Sequence, residues 1–252
     1  MLTLTGDGYA VLRHDARVAA WAAAALKVAR TVAADPEQQA RWLRHDGTWF
    51  VGVDALPNAP DGSVNRVPLA GPWDVDAVPP LHRAQLSVVY PGYPRRDPAE
   101  TEAAHQFRIT RDAAHLDGLL AEGADKRRFL REPHRWILGL PLNLSDASPL
   151  IVWRRSHEMV REAFRKAFEG VAPHSWCDVD VTDIYRTVRK AVFEKCERVV
   201  VRATPGQAIL VHRLAIHGVA PWGAGEAAPP EGRMIAYFRP VFTNPANWLS
   251  AP

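Results

Sequence analysis

Between residues 83 and 242 the apolar residues come in short runs, each closed by proline, glycine or a polar cluster. No other feature restricts the fold of this chain as strongly. Gln85–Tyr90 stops at Pro91-Gly92-Tyr93-Pro94, and Trp136–Leu144 is bounded by Pro133 and by Ser145-Asp146. Pro149–Trp153 is short and apolar, Val199–Arg202 and Gln207–Val211 flank Pro205-Gly206, and Met234–Val241 is the last long run. Each has the length of a strand, and His105–Leu120 is a weaker strand candidate. Ser156–Phe168 and Thr182–Lys195 interrupt the series as helices. Short strands at this spacing predict a sandwich or jelly roll with flanking helices, a mainly β fold. Proline, at 21 of 252 residues, or about 8%, favours strands and loops over a helical bundle.

The N-terminal third has a different texture. Asp15 is placed to cap a helix running to about Ala34, because Val18, Trp21, Ala25, Val28 and Val32 recur at helical spacing. Asp35-Pro36 reads as a cap followed by proline at the first helical position, opening a second helix through Leu43. Trp49–Val53 reads as a strand; six prolines punctuate the segment from residue 47 to 81, which reads as packed loop. No composition shift cuts the chain. The expectation is one domain over 1–252, with 1–82 as helices and loops packed on a core at 83–242.

Several function classes are excluded or disfavoured. The 31 basic and 28 acidic residues leave a net charge of +3, too little for a nucleic-acid footprint. Cys177 and Cys196 cannot build a disulfide framework and lack CxxC spacing, which fits free thiols in a reducing compartment. The longest wholly apolar run, Val18–Leu26, is nine residues, against about 20 for a bilayer span. The N-terminus, Met1-Leu2-Thr3-Leu4-Thr5-Gly6-Asp7, has no positively charged n-region, so a cytoplasmic protein without membrane or nucleic-acid partners is expected. Oligomeric state is not legible.

Of ten histidines only one is followed at +2 by a carboxylate, His115-Leu116-Asp117. In a strand, positions two apart face the same side, so this pair would converge on one point. Two such groups plus a distant histidine make a two-His, one-carboxylate facial site, the arrangement of non-haem Fe(II) oxygenases. His217 stands 100 residues beyond Asp117, after the run Gln207–Val211. His212 is its rival; the odd spacing of five sends the two to opposite faces of a regular strand, so only one serves. Arg233 opens the last strand, where its guanidinium is suited to a carboxylate.

In order, these segments are His115-x-Asp117, Ser148-Pro149-Leu150-Ile151-Val152-Trp153-Arg154-Arg155-Ser156-His157, Pro205-Gly206-Gln207-Ala208-Ile209-Leu210-Val211-His212, Leu214-Ala215-Ile216-His217-Gly218-Val219-Ala220-Pro221, and Arg233 with its strand. The series resembles the phytanoyl-CoA dioxygenase-like Fe(II)/2-oxoglutarate oxygenases over roughly residues 83–242. The resemblance implies a double-stranded β-helix with helices on one outer face. It implies Fe(II) held by His115, Asp117 and His217, and 2-oxoglutarate bound through Arg233. O2 and a small organic molecule would be the other reactants. The family usually has glycine before Ser-His, where this chain has Arg155, and a shorter gap between the distal histidine and the arginine. The segment Gly223–Gly232 lengthens that gap, reads as a mobile surface loop bordering the pocket, and makes Arg239 an alternative to Arg233. In an extended strand the two are about 20 Å apart, so one serves. A carboxylate at 117, where related halogenases have a small residue, implies hydroxylation or another oxidative outcome.

Elsewhere, Ser156 reads as a helix cap with Ser156-His157 turned to solvent. Trp136, Trp153 and Tyr237 read as core before pocket, and Arg95, Arg96, Arg108, Arg127, Arg128 and Arg131 as separate solvated charges. The competing function is a cupin-like metal-binding protein or non-oxidative metalloenzyme without 2-oxoglutarate, although the HxH pattern usual there is absent.

Overall fold

The computed structural model describes residue 4 and residues 6–73, 81–223, 225–226 and 229–251. The strands are β1 (Tyr9–Leu12), β2 (Leu43–Arg44), β3 (Trp49–Phe50), β4 (Gln85–Val89), β5 (Leu119–Glu122), β6 (Arg127–Leu130), β7 (Trp136–Pro141), β8 (Leu150–Trp153), β9 (Arg198–Val201), β10 (Ala208–His212), β11 (His217–Val219) and β12 (Arg233–Phe238). The helices are α1 (Ala16–Ala34), α2 (Pro36–Trp42), α3 (Glu102–Thr110), α4 (Ser156–Ala167), α5 (Thr182–Lys195) and α6 (Asn247–Ser250).

Seven strands form one antiparallel sheet in the order β1-β10-β7-β12-β4-β3-β2, and β11-β8-β9 form a second. Alternation along each strand divides the apolar residues between two faces. Ile137, Ile209 and Val211 of the large sheet meet Leu150, Val152 and Val201 of the small one in a buried inner layer. The opposite faces are equally apolar. Leu86, Val88, Leu138, Leu140, Leu210, Ala236 and Phe238 pack outward against α1, and Ile151 and Trp153 pack outward with Val160, Phe164, Tyr185, Val188 and Val192 of α4 and α5. The core is thus a double-stranded β-helix, a mainly β fold with flanking helices. The helices cover both outer faces rather than one, because strands buried on both sides need a cover on both sides.

Helix α1 forms where its sequence says. The Asp15 carboxylate accepts from the Arg17 amide at 2.8 Å, and buried Val18, Trp21, Ala22, Ala25, Ala29 and Ala33 make one stripe. The alanines let the axis approach the sheet closely, and Trp21 donates to the Gly62 carbonyl at 2.8 Å. Asp35 caps α2 through the Glu37 amide at 2.8 Å. The N-terminal segment also does more than pack on the core. β1 extends one edge of the large sheet through β10, and β3 extends the other through β4.

Two local expectations fail. His105 lies in α3, not in a strand, because the Thr101 hydroxyl accepts from the Ala104 amide at 3.2 Å and starts a helix. Ser156 does not cap α4. Arg155 occupies that position with φ +62°, and the Ser156 and His157 side chains are buried. The Ser156 hydroxyl instead accepts from the Ile216 amide at 2.9 Å, tying α4 to the segment before β11. The left-handed conformation explains the glycine expected at 155: an L side chain adopts it at a cost, and this chain bears that cost.

Candidate metal centre

His115 and His217 reach each other through backbone pairing. Each donates its amide to the other's carbonyl, at 2.8 and 3.1 Å, in an isolated antiparallel bridge that continues the edge of β11. Asp117 lies just past that bridge, so the HxD pair sits at the end of a strand pairing and not inside a long strand. The Nδ1 of His115 donates to the Ala113 carbonyl at 3.0 Å, and that of His217 to the Ala215 carbonyl at 2.9 Å. A carbonyl only accepts, so in the neutral form of each ring the proton sits on Nδ1 and Nε2 presents a lone pair. Those lone pairs face one carboxylate oxygen: Asp117 Oδ1 is 3.1 Å from Nε2 of His115 and 3.8 Å from Nε2 of His217. The ligand atoms of the three residues all lie within 4.8 Å of one another.

Three acceptors aimed at one point need a cation. A proton is a poor candidate at neutral pH. Burial, only partly offset by the Asp117 charge, holds His217 down to about 4. Burial pushes the Asp117 carboxyl up, but the opposing charge of Arg239 foremost keeps it well below the usual carboxylate range. A neutral His217 imidazole, the His115 ring beside it and an ionised carboxylate fit a divalent metal with nitrogen and oxygen ligands. The two carbonyls that fix the rings are the outer partners such ligands usually have.

Asp117 Oδ2 accepts from Nη1 of Arg239 at 3.2 Å. Sequence reasoning considered Arg239 only as an alternative anchor for the co-substrate; its contact with a ligand carboxylate needed the fold. Residues 233, 235, 237 and 239 alternate toward the inside of the large sheet. Arg239 therefore stands at the Asp117 end and Arg233 at the other end of β12, paired in register with Val89. Arg233 is 5% exposed, and its guanidinium makes no hydrogen bond or ion pair among the described residues; Nη1 is wholly buried. The structure thus brings together His115, Asp117, His217 and Arg239, and sets Arg233 apart as an unpaired charge on the barrel's inner side.

A cavity of about 230 Å³ opens beside His115, Asp117 and His217. Trp49, Val51, Val53, Tyr93, Ile137, Leu150, Val211 and Tyr237 give it apolar and aromatic walls, with Gln85, Ser87 and Arg239 as polar groups. Tyr237 is therefore pocket as well as core; Trp153 is core, and Trp136 packs on the outer layer beside α1. Gly139 lies opposite Tyr237, where a Cβ would come within 2.8 Å of the ring. That missing side chain gives the tyrosine its place inside the barrel.

No protein-family model matches this chain, and no curated protein does. Among solved structures it is similar to EctD from S. alaskensis crystallised with 2-oxoglutarate and 5-hydroxyectoine. The TM-score there is 0.47 at 17% identity, over 96% of this chain and 74% of that one. It is also similar to the non-haem iron oxygenase OrfP in complex with Fe, at a TM-score of 0.27 and 16% identity over 51% and 50% of the two chains. A third is an N-substituted L-amino acid dioxygenase from Burkholderia ambifaria AMMD in complex with alpha-KG, at 0.24 and 16% over 50% and 43%. These likenesses are loose, and the chemistry of the site rests on its own atoms.

His212 is turned away from the metal group. Its ring lies 4.6 Å from that of His157, its Nδ1 accepts from the Leu214 amide at 3.0 Å, and Arg161 approaches its Nε2 at 2.9 Å. Burial first, then Arg213, His157 and Arg161, push its pKa down to about 2. The unfolded chain takes up that proton near pH 6.5 and the folded chain does not. This contribution to stability is whole above about pH 6.5 and is lost as pH falls toward 2, by up to ~1.4 kcal/mol per unit. Melting temperature should fall on acidification through pH 6 and 5, and His212→Asn should flatten that fall. An equally steep fall in the variant would place the acid sensitivity elsewhere.

Gly218 follows the distal histidine because nothing larger fits. A Cβ there would lie 2.1 Å from the Asp112 carbonyl oxygen. Asp112 itself is clamped by Arg198 at 2.7 and 2.8 Å, so it does not give way. Gly218→Ala should part β11 from residues 112–115 and separate the two histidines. A 10- to 100-fold weaker Ni(II) affinity by calorimetry is expected, on the scale of outer-partner mutations. Unchanged affinity would show that the pairing does not set the ligand geometry.

The remaining candidates are structural. Arg96, Arg108, Arg127 and Arg131 are each paired with a carboxylate, of Glu102, Glu100, Asp180 and Glu122 respectively. Residues 224, 227 and 228 of the Gly223–Gly232 segment, and with them its expected mobility, lie outside the described residues. Its described parts are tied down: Glu226 accepts from the Ser148 and Gly223 amides at 3.0 and 2.8 Å, and Glu231 pairs with Arg30 at 2.5 Å. Just before it, the Trp222 amide donates to the carbonyl of Tyr93, a cavity residue, at 2.7 Å. No helix among the described residues is long and apolar enough to cross a membrane.

Proposed function

We propose that this chain is a non-haem Fe(II)- and 2-oxoglutarate-dependent oxygenase of the phytanoyl-CoA dioxygenase-like kind, oxidising a small organic molecule. The observation that carries the reading is that the ligating atoms of His115, Asp117 and His217 lie within 4.8 Å of one another in the lining of a largely apolar cavity. The buried, unpaired guanidinium of Arg233 on the inside of the same barrel supports it. An unpaired buried charge is costly and calls for an anionic partner, which a cupin-like metal protein without a co-substrate would not supply.

In this reading His115, Asp117 and His217 would hold Fe(II), two imidazoles and a carboxylate being a donor set suited to it. When bound, Fe(II) with 2-oxoglutarate and O2 supplies the oxidising power for an unactivated C–H bond. The protein's own part is placement and exclusion. Arg233 receives the distal carboxylate of 2-oxoglutarate. Arg239 holds Asp117 Oδ2, which leaves Oδ1 aimed between the histidines. The walls formed by Trp49, Val51, Val53, Ile137, Leu150 and Val211 keep bulk water from the reacting centre.

The test is anaerobic thermal melting with Fe(II) or Ni(II), with and without 2-oxoglutarate. A ligand at 100-fold excess over its Kd contributes about 2.7 kcal/mol, or roughly 5–10 °C for a chain of this size. The expected result is a rise with metal, and a further rise with 2-oxoglutarate only when metal is present. No response to metal would overturn the reading; a response to metal but none to 2-oxoglutarate would favour the cupin-like alternative.

A further inference from the structure

Among the described residues, Asp117 is the only acidic residue lining the cavity, and Arg239 the only arginine or lysine. Arg233 adds a second positive charge on the inner side of the barrel, with no acid beside it. A divalent metal and dianionic 2-oxoglutarate cancel each other, and Asp117 cancels one arginine. One guanidinium charge is left over in an otherwise apolar enclosure. Such a charge repels a cationic substrate, leaves a neutral one indifferent and attracts an anion.

The structure also locates that charge. Arg233 is committed to the co-substrate, so the free guanidinium edge belongs to Arg239. Only Nη1 of Arg239 is used, on Asp117, and its Nε has no hydrogen-bond partner; its side chain is 18% exposed toward the cavity. Its backbone amide donates to Nε2 of His82 at 2.9 Å, which fixes where the side chain starts. Glu132, whose carboxylate also feels Arg239, is turned to His134 at 3.3 Å and does not line the cavity. The opposite wall is aromatic: Trp49 and Tyr93 pack edge to face at 5.8 Å, and Trp49 Nε1 donates to the Ser87 hydroxyl at 3.0 Å, leaving the Ser87 proton free to donate.

We infer that the substrate is a small monoanionic molecule with an apolar body, its carboxylate received by Arg239 and its body against Trp49, Tyr93 and Tyr237. This rests on the oxygenase reading and narrows it. The volume of about 230 Å³ lies below the usual range for ligand pockets, so with 2-oxoglutarate also inside, the body is short. Because Arg239 touches a metal ligand directly, the carboxylate sits beside the metal, and the C–H bond exposed to oxidation lies within a few bonds of it.

The probes are propionate, butyrate, valerate, hexanoate and phenylacetate, each beside its primary amide, which keeps the shape and removes the charge. They are added to protein saturated with Ni(II), an inert stand-in for Fe(II), and with 2-oxoglutarate, so that Arg233 is already occupied. At least one acid should raise the melting temperature by roughly 5 °C at saturating excess, and its amide should not. Arg239→Gln, itself loaded with saturating Ni(II) and 2-oxoglutarate, should bind that acid at least tenfold more weakly, and Arg239→Lys should recover part of the loss. Amides that stabilise as well as the acids, no stabilisation by any acid, or acid binding undiminished in Arg239→Gln would each overturn the inference. Failure of the wild-type chain to take up Ni(II) or 2-oxoglutarate would instead overturn the oxygenase reading beneath it.

Discussion

His217→Ala should abolish tight metal binding, with Ni(II) affinity falling more than 100-fold by calorimetry, while His212→Ala should retain it. The expectation follows from where each ring points. His217 presents Nε2 to Asp117 Oδ1 and has its Nδ1 proton engaged on the Ala215 carbonyl, so its one free lone pair faces the metal point. Losing an outer partner of a ligand costs about 10- to 100-fold, and losing one of three ligands exceeds that. His212 sits behind the inner layer, between His157 and Arg161, and contributes nothing to that point. Its replacement leaves a small buried void and an unpaired Arg161 contact, which lowers stability and not metal affinity. The reverse pattern, metal lost with His212 and kept with His217, would sink the ligand assignment.

Arg233→Met should lose 2-oxoglutarate binding by about 30- to 150-fold, corresponding to roughly 2–3 kcal/mol for a charged hydrogen-bonded pair, with metal affinity unchanged. A second readout separates function from packing. In the absence of ligands Arg233 is a buried charge without a partner, so methionine of similar length should leave the ligand-free protein as stable as wild type or more so. The wild type should gain stability on adding metal and 2-oxoglutarate, and the variant on adding metal alone. A loss of 2-oxoglutarate in Arg239→Gln with none in Arg233→Met would mean that the anchors are exchanged. Both the co-substrate assignment and the anionic-substrate inference would then fall.

Much of the site was legible because it depends on short-range chemistry. A histidine two residues before an aspartate, a second histidine before glycine, and an arginine opening the last long apolar run are local patterns. The fold brings the first three into one group within 4.8 Å. The apolar runs marked β4, β8, β9 and β10 within a residue at each end, while three others overran β3, β7 and β12 by three residues and β1, β2 and β6 matched no run. Ser156-His157 went the other way. Polar side chains read as solvated, yet both are buried, and one ties α4 to the segment leading into β11. The Thr101 cap that makes 102–110 a helix went unread, and a strand was expected from His105 instead.

The sequence by itself determined the elements and the chemical character of the site: strand lengths, capped helices, the residue types able to hold a metal, and a single spare arginine pattern at 233 and 239. These follow from backbone sterics, side-chain period and donor chemistry, all carried by residues close together in the chain. Only the tertiary structure decided which arginine touches Asp117 and which stands unpaired. It also decided that helices cover both sheets, and that Trp49 from the N-terminal third walls the cavity beside Tyr237 from the last strand. Those outcomes depend on strand order and register between segments up to nearly 200 residues apart, such as Trp49 and Tyr237. No local preference specifies them, because the same alternating pattern is satisfied by many pairings until one burial arrangement closes the core.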